Sequence, residues 1–153
     1  MDDMKLITKN RKARHDYFII EQTEAGIALR GTEVKSLRAG RANLKDSFAR
    51  IQDGEVWLYG AHISAYEEGN RYNHDPDRPR KLLLHRREIM RLRGRVEEKG
   101  LTLVPLSLYF KRGIVKVELA LARGKAEHDK RRAIAERESD REIARALKEV
   151  SNR

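Results

Sequence analysis

The chain has 153 residues, and its 34 Lys and Arg outweigh 24 Asp and Glu to leave a formal charge of +10. Charged residues make up 38% of it and apolar ones 39%, with no cysteine, which excludes a disulfide framework, a thiolate metal site and a cysteine nucleophile. No run approaches the ~18 consecutive apolar residues of a membrane-spanning helix, and a surface this cationic gains most by releasing counterions on a polyanion.

The start, Met1-Asp2-Asp3-Met4-Lys5, lacks the basic-then-apolar order of a secretory signal, so a cytoplasmic protein is expected. All nine aromatic residues lie between Tyr17 and Phe110. The expected organisation is therefore a basic leader (1–15), a folded body (16–123) and a charged tail (124–153) with too few large apolar residues for a core of its own.

Tyr17-Phe18-Ile19-Ile20 reads as a strand, and Glu24-Ala25-Gly26 as a turn that returns it through Ile27-Ala28-Leu29 as a hairpin. Thr32 offers an N-cap for a short helix carrying Lys35 to Arg38, which Gly40 can end. Residues 47–52 and 55–61 flank Asp53-Gly54, a strong hairpin signal, with Val56 and Leu58 on one face and Trp57 and Tyr59 on the other. Residues 69–80 form a polar loop, and Lys81 to about Arg93 has near-helical apolar spacing that Gly94 interrupts. Thr102 to Phe110 is a strand whose Pro105 confines it to an edge or a bulge. In Ile114 to Ala122, Val115, Val117, Leu119 and Leu121 point inward and Lys116, Glu118, Ala120 and Ala122 outward. The fold class that follows is mainly β with added helices. About six short antiparallel strands and two or three helices are most simply accommodated in a small closed barrel, although a sandwich has the same strand count.

Catalytic motifs are scarce. The pairs His15-Asp16, His74-Asp75 and His128-Asp129 admit a hydrolase reading, but all three fall in leader, loop or tail without a rigid scaffold. Charge says more. Between Arg78 and Arg95 eight basic residues face one acid, Glu88; the leader concentrates Lys9, Arg11, Lys12, Arg14 and His15; a third cluster runs from Lys111 to Arg132. Three clusters in one small domain favour RNA, because no groove-reading DNA motif is present and a basic barrel suits folded RNA and unstacked bases. Tyr17, Trp57 and Tyr59 are candidate stackers. In the tail, i,i+4 pairs such as Arg145 with Glu149 give a helical preference too weak to stand alone, so disorder when free and helix on a partner are expected.

Several motifs resemble one family. Asn10-Arg11-Lys12-Ala13-Arg14-His15-Asp16-Tyr17-Phe18, Glu24-Ala25-Gly26-Ile27-Ala28-Leu29, Gly31-Thr32-Glu33-Val34-Lys35-Ser36-Leu37-Arg38-Ala39-Gly40, Arg80-Lys81-Leu82-Leu83-Leu84, Leu106-Ser107-Leu108-Tyr109-Phe110 and Gly124-Lys125-Ala126-Glu127-His128-Asp129-Lys130-Arg131 follow the order seen in SmpB, the SsrA-binding family. The resemblance implies an oligonucleotide-binding-type barrel and a non-enzymatic adaptor that binds the tRNA-like domain of tmRNA and delivers it to stalled ribosomes for trans-translation. Its implied partners are tmRNA and the 70S ribosome, with the elongation factor EF-Tu in the delivery complex and neither DNA nor membrane. No cofactor, metal or catalytic residue is implied.

Carried over by position, the resemblance assigns tmRNA binding to Arg11, Lys12, Arg14, His15, Glu24, Lys35, Arg38, Asn43, Lys81 and Lys116. Plain turn chemistry is the alternative for Glu24 and Asn43. It assigns the ribosome-binding tail to Gly124, Lys125, His128, Asp129, Lys130 and Arg131, which would enter the decoding site and the empty mRNA channel. Ala126 and Glu118 depart from the family, where basic residues are common. Without the resemblance, another ribosome-associated module fits the same composition.

Overall fold

The structure is a computed structural model of the chain and describes residues 3–66, 73–125 and 140–148. Its elements in chain order are β1 (Met4–Lys9), α1 (Arg11–Asp16), β2 (Tyr17–Ile27), α2 (Gly31–Arg38), β3 (Ala42–Asn43), β4 (Phe48–Gln52) and β5 (Glu55–Tyr59). There follow β6 (His62–Ile63), β7 (Arg80–Leu83), α3 (Arg86–Lys99), β8 (Thr102–Lys111) and β9 (Ile114–Gly124), then a helix over residues 140–148, called α4.

Alternation along the strands builds a closed ring. β8, β4, β5, β7, β2 and β9 are neighbours in that order, and β9 pairs back with β8, all antiparallel. Closure removes the free edges that an open sheet would present. β8 has β9 along one side; on the other it meets β4 at Leu103 and then β1 from Ser107 to Lys111. The inward residues Val115, Val117, Leu119 and Leu121 are buried with Val56, Leu58, Leu82, Leu103 and Leu108, and α3 adds Ile89 and Leu92 to this core. The Asp53-Gly54 turn has positive φ at both residues, 53° and 76°, the two-residue geometry that matches strand twist.

A second, smaller core lies outside the ring. Ala120 and Ala122, expected to face solvent, are both 0% exposed because α1 sets Ala13 against them, beside Val104, Leu106, Tyr17 and Ile19. Small side chains let the helix approach the sheet. The stretch read as a basic leader, residues 1–15, thus supplies from Met4 onward a strand and, up to the adjoining Asp16, a helix packed on the barrel.

Several expectations are corrected. Tyr17 to Ile27 is one 11-residue strand rather than the arm and turn of a hairpin, because β9 pairs with it from end to end. Gly26 serves there as a close approach, since a Cβ would lie 3.1 Å from that of Leu83. Residues 80–83 are strand rather than helix: Leu82 fills the core while the backbone bridges β5 and β2. α3 begins only at Arg86 and runs through Gly94, around which open space leaves no steric reason for a break. It stops at Gly100, whose φ of 63° is left-handed. The expectation for Pro105 holds in one of its two forms: it sits at a bulge against β9. Thr32 is not the cap of α2; Arg30 is, and its N–H donates to Glu33 Oε1 at 2.7 Å. α4 shows the expected helical preference of the tail, and Asp140, Ala144 and Leu147 line a cleft of about 1050 Å³ with β4 and the end of α3.

Candidate nucleic-acid interface

α1 is fixed from beneath. Asn10 is buried, accepts the Ala13 N–H on Oδ1 at 3.2 Å, and donates from Nδ2 to the Pro105 carbonyl at 2.9 Å. With Ala13 turned into the sheet, Arg11, Lys12, Arg14 and His15 all stand exposed. Lys12 Nζ meets Asp46 Oδ1 at 2.7 Å, a hydrogen bond that raises the ammonium pKa and draws the loop after β3 against α1. His15 Nδ1 lies 3.1 Å from Asp16 Oδ1.

The loop brought in by Lys12 follows Asn43, the last residue of β3, whose Oδ1 accepts the Lys45 N–H at 2.8 Å, the turn chemistry open to it in the sequence. α2 leads into this loop with Lys35 and Arg38 exposed, and Lys35 Nζ lies 5.4 Å from the Tyr66 ring centre. α2 itself is held by a buried network. Glu33 Oε2 accepts from Arg80 Nε at 2.7 Å, with both side chains 0% exposed, and Glu33 Oε1 accepts from Arg78 at 2.5 Å. Burial pushes the Glu33 carboxyl up, but hydrogen bonds from Arg78, the Arg30 N–H and Arg80 outweigh it and hold the group below its ordinary range. Arg80 spends its other nitrogens on the carbonyls of Ala61 and Pro76. His74 joins the same wall, Nε2 at 2.8 Å from the Ile63 carbonyl and Nδ1 at 2.9 Å from Thr32 Oγ1. It is 4% exposed, so this histidine is a structural strut within a rigid scaffold and not a solvated loop residue.

Glu24 lies within β2 and not at a turn. Its carboxylate accepts from the Tyr109 hydroxyl at 2.5 Å and from Lys111 at 3.3 Å; the Tyr109 bond chiefly lowers its pKa, and desolvation with that same bond raises that of Tyr109. Glu24, Tyr109, Glu118 and Lys9 line a groove of about 550 Å³ on the outer sheet face, walled by Met4 and Leu6 of β1. Glu118, which stands opposite Glu24 in register, accepts from Ser107 Oγ at 3.2 Å. Lys116 is half-buried on the same outer face, opposite Tyr109 and Gly26.

The structure therefore joins Lys12 of α1 to the loop after β3 through Asp46, leaves Arg11, Arg14, His15, Lys35 and Arg38 exposed, and sets Glu24 and Lys116 on the outer face of β2 and β9. Lys81 stands apart: it lies on β7 opposite Trp57 and pairs with Glu55 at 2.9 Å. Gly124 ends β9 opposite Tyr17, and Lys125 donates its N–H to the Asp16 carbonyl at 3.2 Å. His128, Asp129, Lys130 and Arg131, like Ala126, lie outside the described residues. Of the proposed stackers, Tyr17 packs under α1, and Tyr59 stacks on Phe48 at 5.6 Å and donates to Gln52. Among the described residues the exposed aromatic is Phe18, which the sequence does not single out because Tyr17 to Ile20 is apolar on both faces.

A family model described as SmpB protein matches residues 7–149. The chain belongs to the SmpB family. The SsrA-binding protein of Desulforudis audaxviator is 67% identical over 144 residues, covering 94% of each chain. That of Carboxydothermus hydrogenoformans is 65% identical over 144 residues, covering 94% of this chain and 97% of its own. A solved structure described as "tmRNA-SmpB: a journey to the center of the bacterial ribosome" superposes with a TM-score of 0.67 at 60% identity, covering 82% of this chain and 88% of that one.

Proposed function

We propose that the protein is an RNA-binding adaptor that binds the tRNA-like domain of tmRNA and delivers it to stalled ribosomes for trans-translation. The observation that carries this reading is membership of the SmpB family along almost the whole chain, among relatives named for SsrA binding. The protein acts by positioning and turns over no substrate.

The tmRNA face is formed by Arg11, Lys12, Arg14 and His15 on α1, by Lys35, Arg38 and Asn43 beside it, and by Glu24 and Lys116 across the outer groove. Lys81 is reached by RNA that wraps further round the ring. The cations bind phosphates and set orientation, and the free lone pairs of the Glu24 carboxylate accept from a base edge or a 2′-hydroxyl. Gly124, Lys125, His128, Asp129, Lys130 and Arg131 start an arm that enters the decoding site and the vacant mRNA channel, gaining order there. EF-Tu accompanies the complex. A cytoplasmic location goes with this role, and among the described residues no helix is long and apolar enough to cross a membrane. Capture of RNA on the tagged protein followed by sequencing tests the reading. One structured small RNA together with ribosomes is the expected yield; ribosomal RNA alone would overturn it.

A further inference from the structure

Phe18 stands near the start of β2, directly opposite Arg123 of β9, and is 38% exposed. The Arg123 guanidinium lies 5.6 Å from its ring centre and Lys125 Nζ 5.5 Å from it. Among the described residues neither cation is paired with a carboxylate, whereas Lys12, Lys81, Arg91, Arg93 and Lys111 all are. Ile20, 41% exposed, extends the apolar surface along β2. The backbone bond from Lys125 to Asp16 sets the group against the end of α1, beside exposed Arg14 and His15.

An aromatic ring kept at the surface serves the barrel core little. Two uncompensated cations brought to one ring repel each other, and a ring face offers only a partial counter-charge. An incoming phosphate relieves that repulsion, and a base fits the apolar ring, which is the composition of a single-strand stacking site. Continuity with α1 selects the tRNA-like RNA held by the body over ribosomal RNA.

We propose that Phe18, Arg123 and Lys125 form an RNA-binding site at the root of the C-terminal arm, where the ring stacks on an unpaired base of the tRNA-like RNA and the two cations hold its flanking phosphates. The site rests on the RNA-binding reading above and adds Phe18 and Arg123 to it, turning Lys125 toward the same RNA. Titrating a labelled transcript of the tRNA-like domain with the full chain, over a salt series, tests it. Phe18→Leu, which keeps apolar bulk without a π face, is expected to weaken binding about tenfold, and Phe18→Tyr to bind like the parent chain. Arg123→Gln and Lys125→Gln should each flatten the salt dependence by about 0.7–0.9 in log–log slope. Neither removes core surface, so the slopes decide even where a Phe18 variant fails to fold. If the unsubstituted chain binds the transcript and both Phe18→Leu and the slopes match it, the site is wrong. A loss confined to binding of isolated small ribosomal subunits also overturns it. No binding by the unsubstituted chain overturns the functional reading itself.

Discussion

The basic stretch on α1 and the basic stretch from Arg78 to Arg95 look alike in composition, yet the fold treats them in opposite ways. Of the eight cations in the second stretch five are spent on carboxylates: Arg78 and Arg80 on Glu33, Lys81 on Glu55, Arg91 on Glu21 and Arg93 on Glu97. On α1 Lys12 is paired with Asp46 and His15 meets Asp16, while Arg11 and Arg14 point outward with no carboxylate partner among the described residues. A paired cation must break its ion pair before it can release a counterion from RNA, so density of charge along the chain overstates the second stretch as a binding surface.

The strongest break in this comparison removes the arm and leaves both stretches intact. A chain ending at Lys125 is expected to bind the tRNA-like RNA undiminished and to lose the release of ribosomes stalled on an mRNA without a stop codon. Loss of RNA affinity in the truncated form would put the arm, and not α1, at the centre of recognition.

Next in size is Glu33→Ala, which strands two arginines, one of them fully buried. Breaking a buried pair of this kind costs about 3–5 kcal/mol, read as a lower urea midpoint, and the cationic stretch is thereby marked as scaffold. The same carboxyl predicts acid lability. Its folded pKa is lowered, so its contribution is complete above an unfolded value of ~4.3 and is lost as pH falls through the folded one. Urea midpoints followed downward from neutral pH should drop in that window, and Glu33→Gln should flatten the drop.

The smallest effect separates the two stretches directly. Arg11→Gln with Arg14→Gln should reduce the salt slope of RNA binding by about one for each phosphate left without its arginine, with stability within about 0.5 kcal/mol of the parent. Arg91→Gln with Arg93→Gln, which removes only paired charges, should leave the slope unchanged. Equal slopes for the two doubles would erase the distinction.

Much of the barrel was legible in the chain. The alternation from Ile114 to Ala122 marked its inward residues, and Asp53-Gly54 marked its tightest hairpin, because both signals are local. The reading failed where the deciding partner was remote. Glu24-Ala25-Gly26 has turn composition but extends because β9 lies beside it; Ala120 and Ala122 look solvent-facing until α1 covers them; the residues after Arg80 pass for helix until β5 and β2 claim their backbone. Phe18 escaped notice for a related reason. An apolar run gives no sign of which face will lie over the ring's interior.

By itself, the amino-acid order determined the class of the fold and the family to which the chain belongs, since periodicity, composition and motif order are properties of neighbouring residues. The tertiary structure alone decided which cations stay free, which strand edges meet to close the ring, and which aromatic remains at the surface. Those outcomes depend on pairings such as Glu33 with Arg80, 47 residues apart, and no local pattern encodes the charge a distant segment will bring.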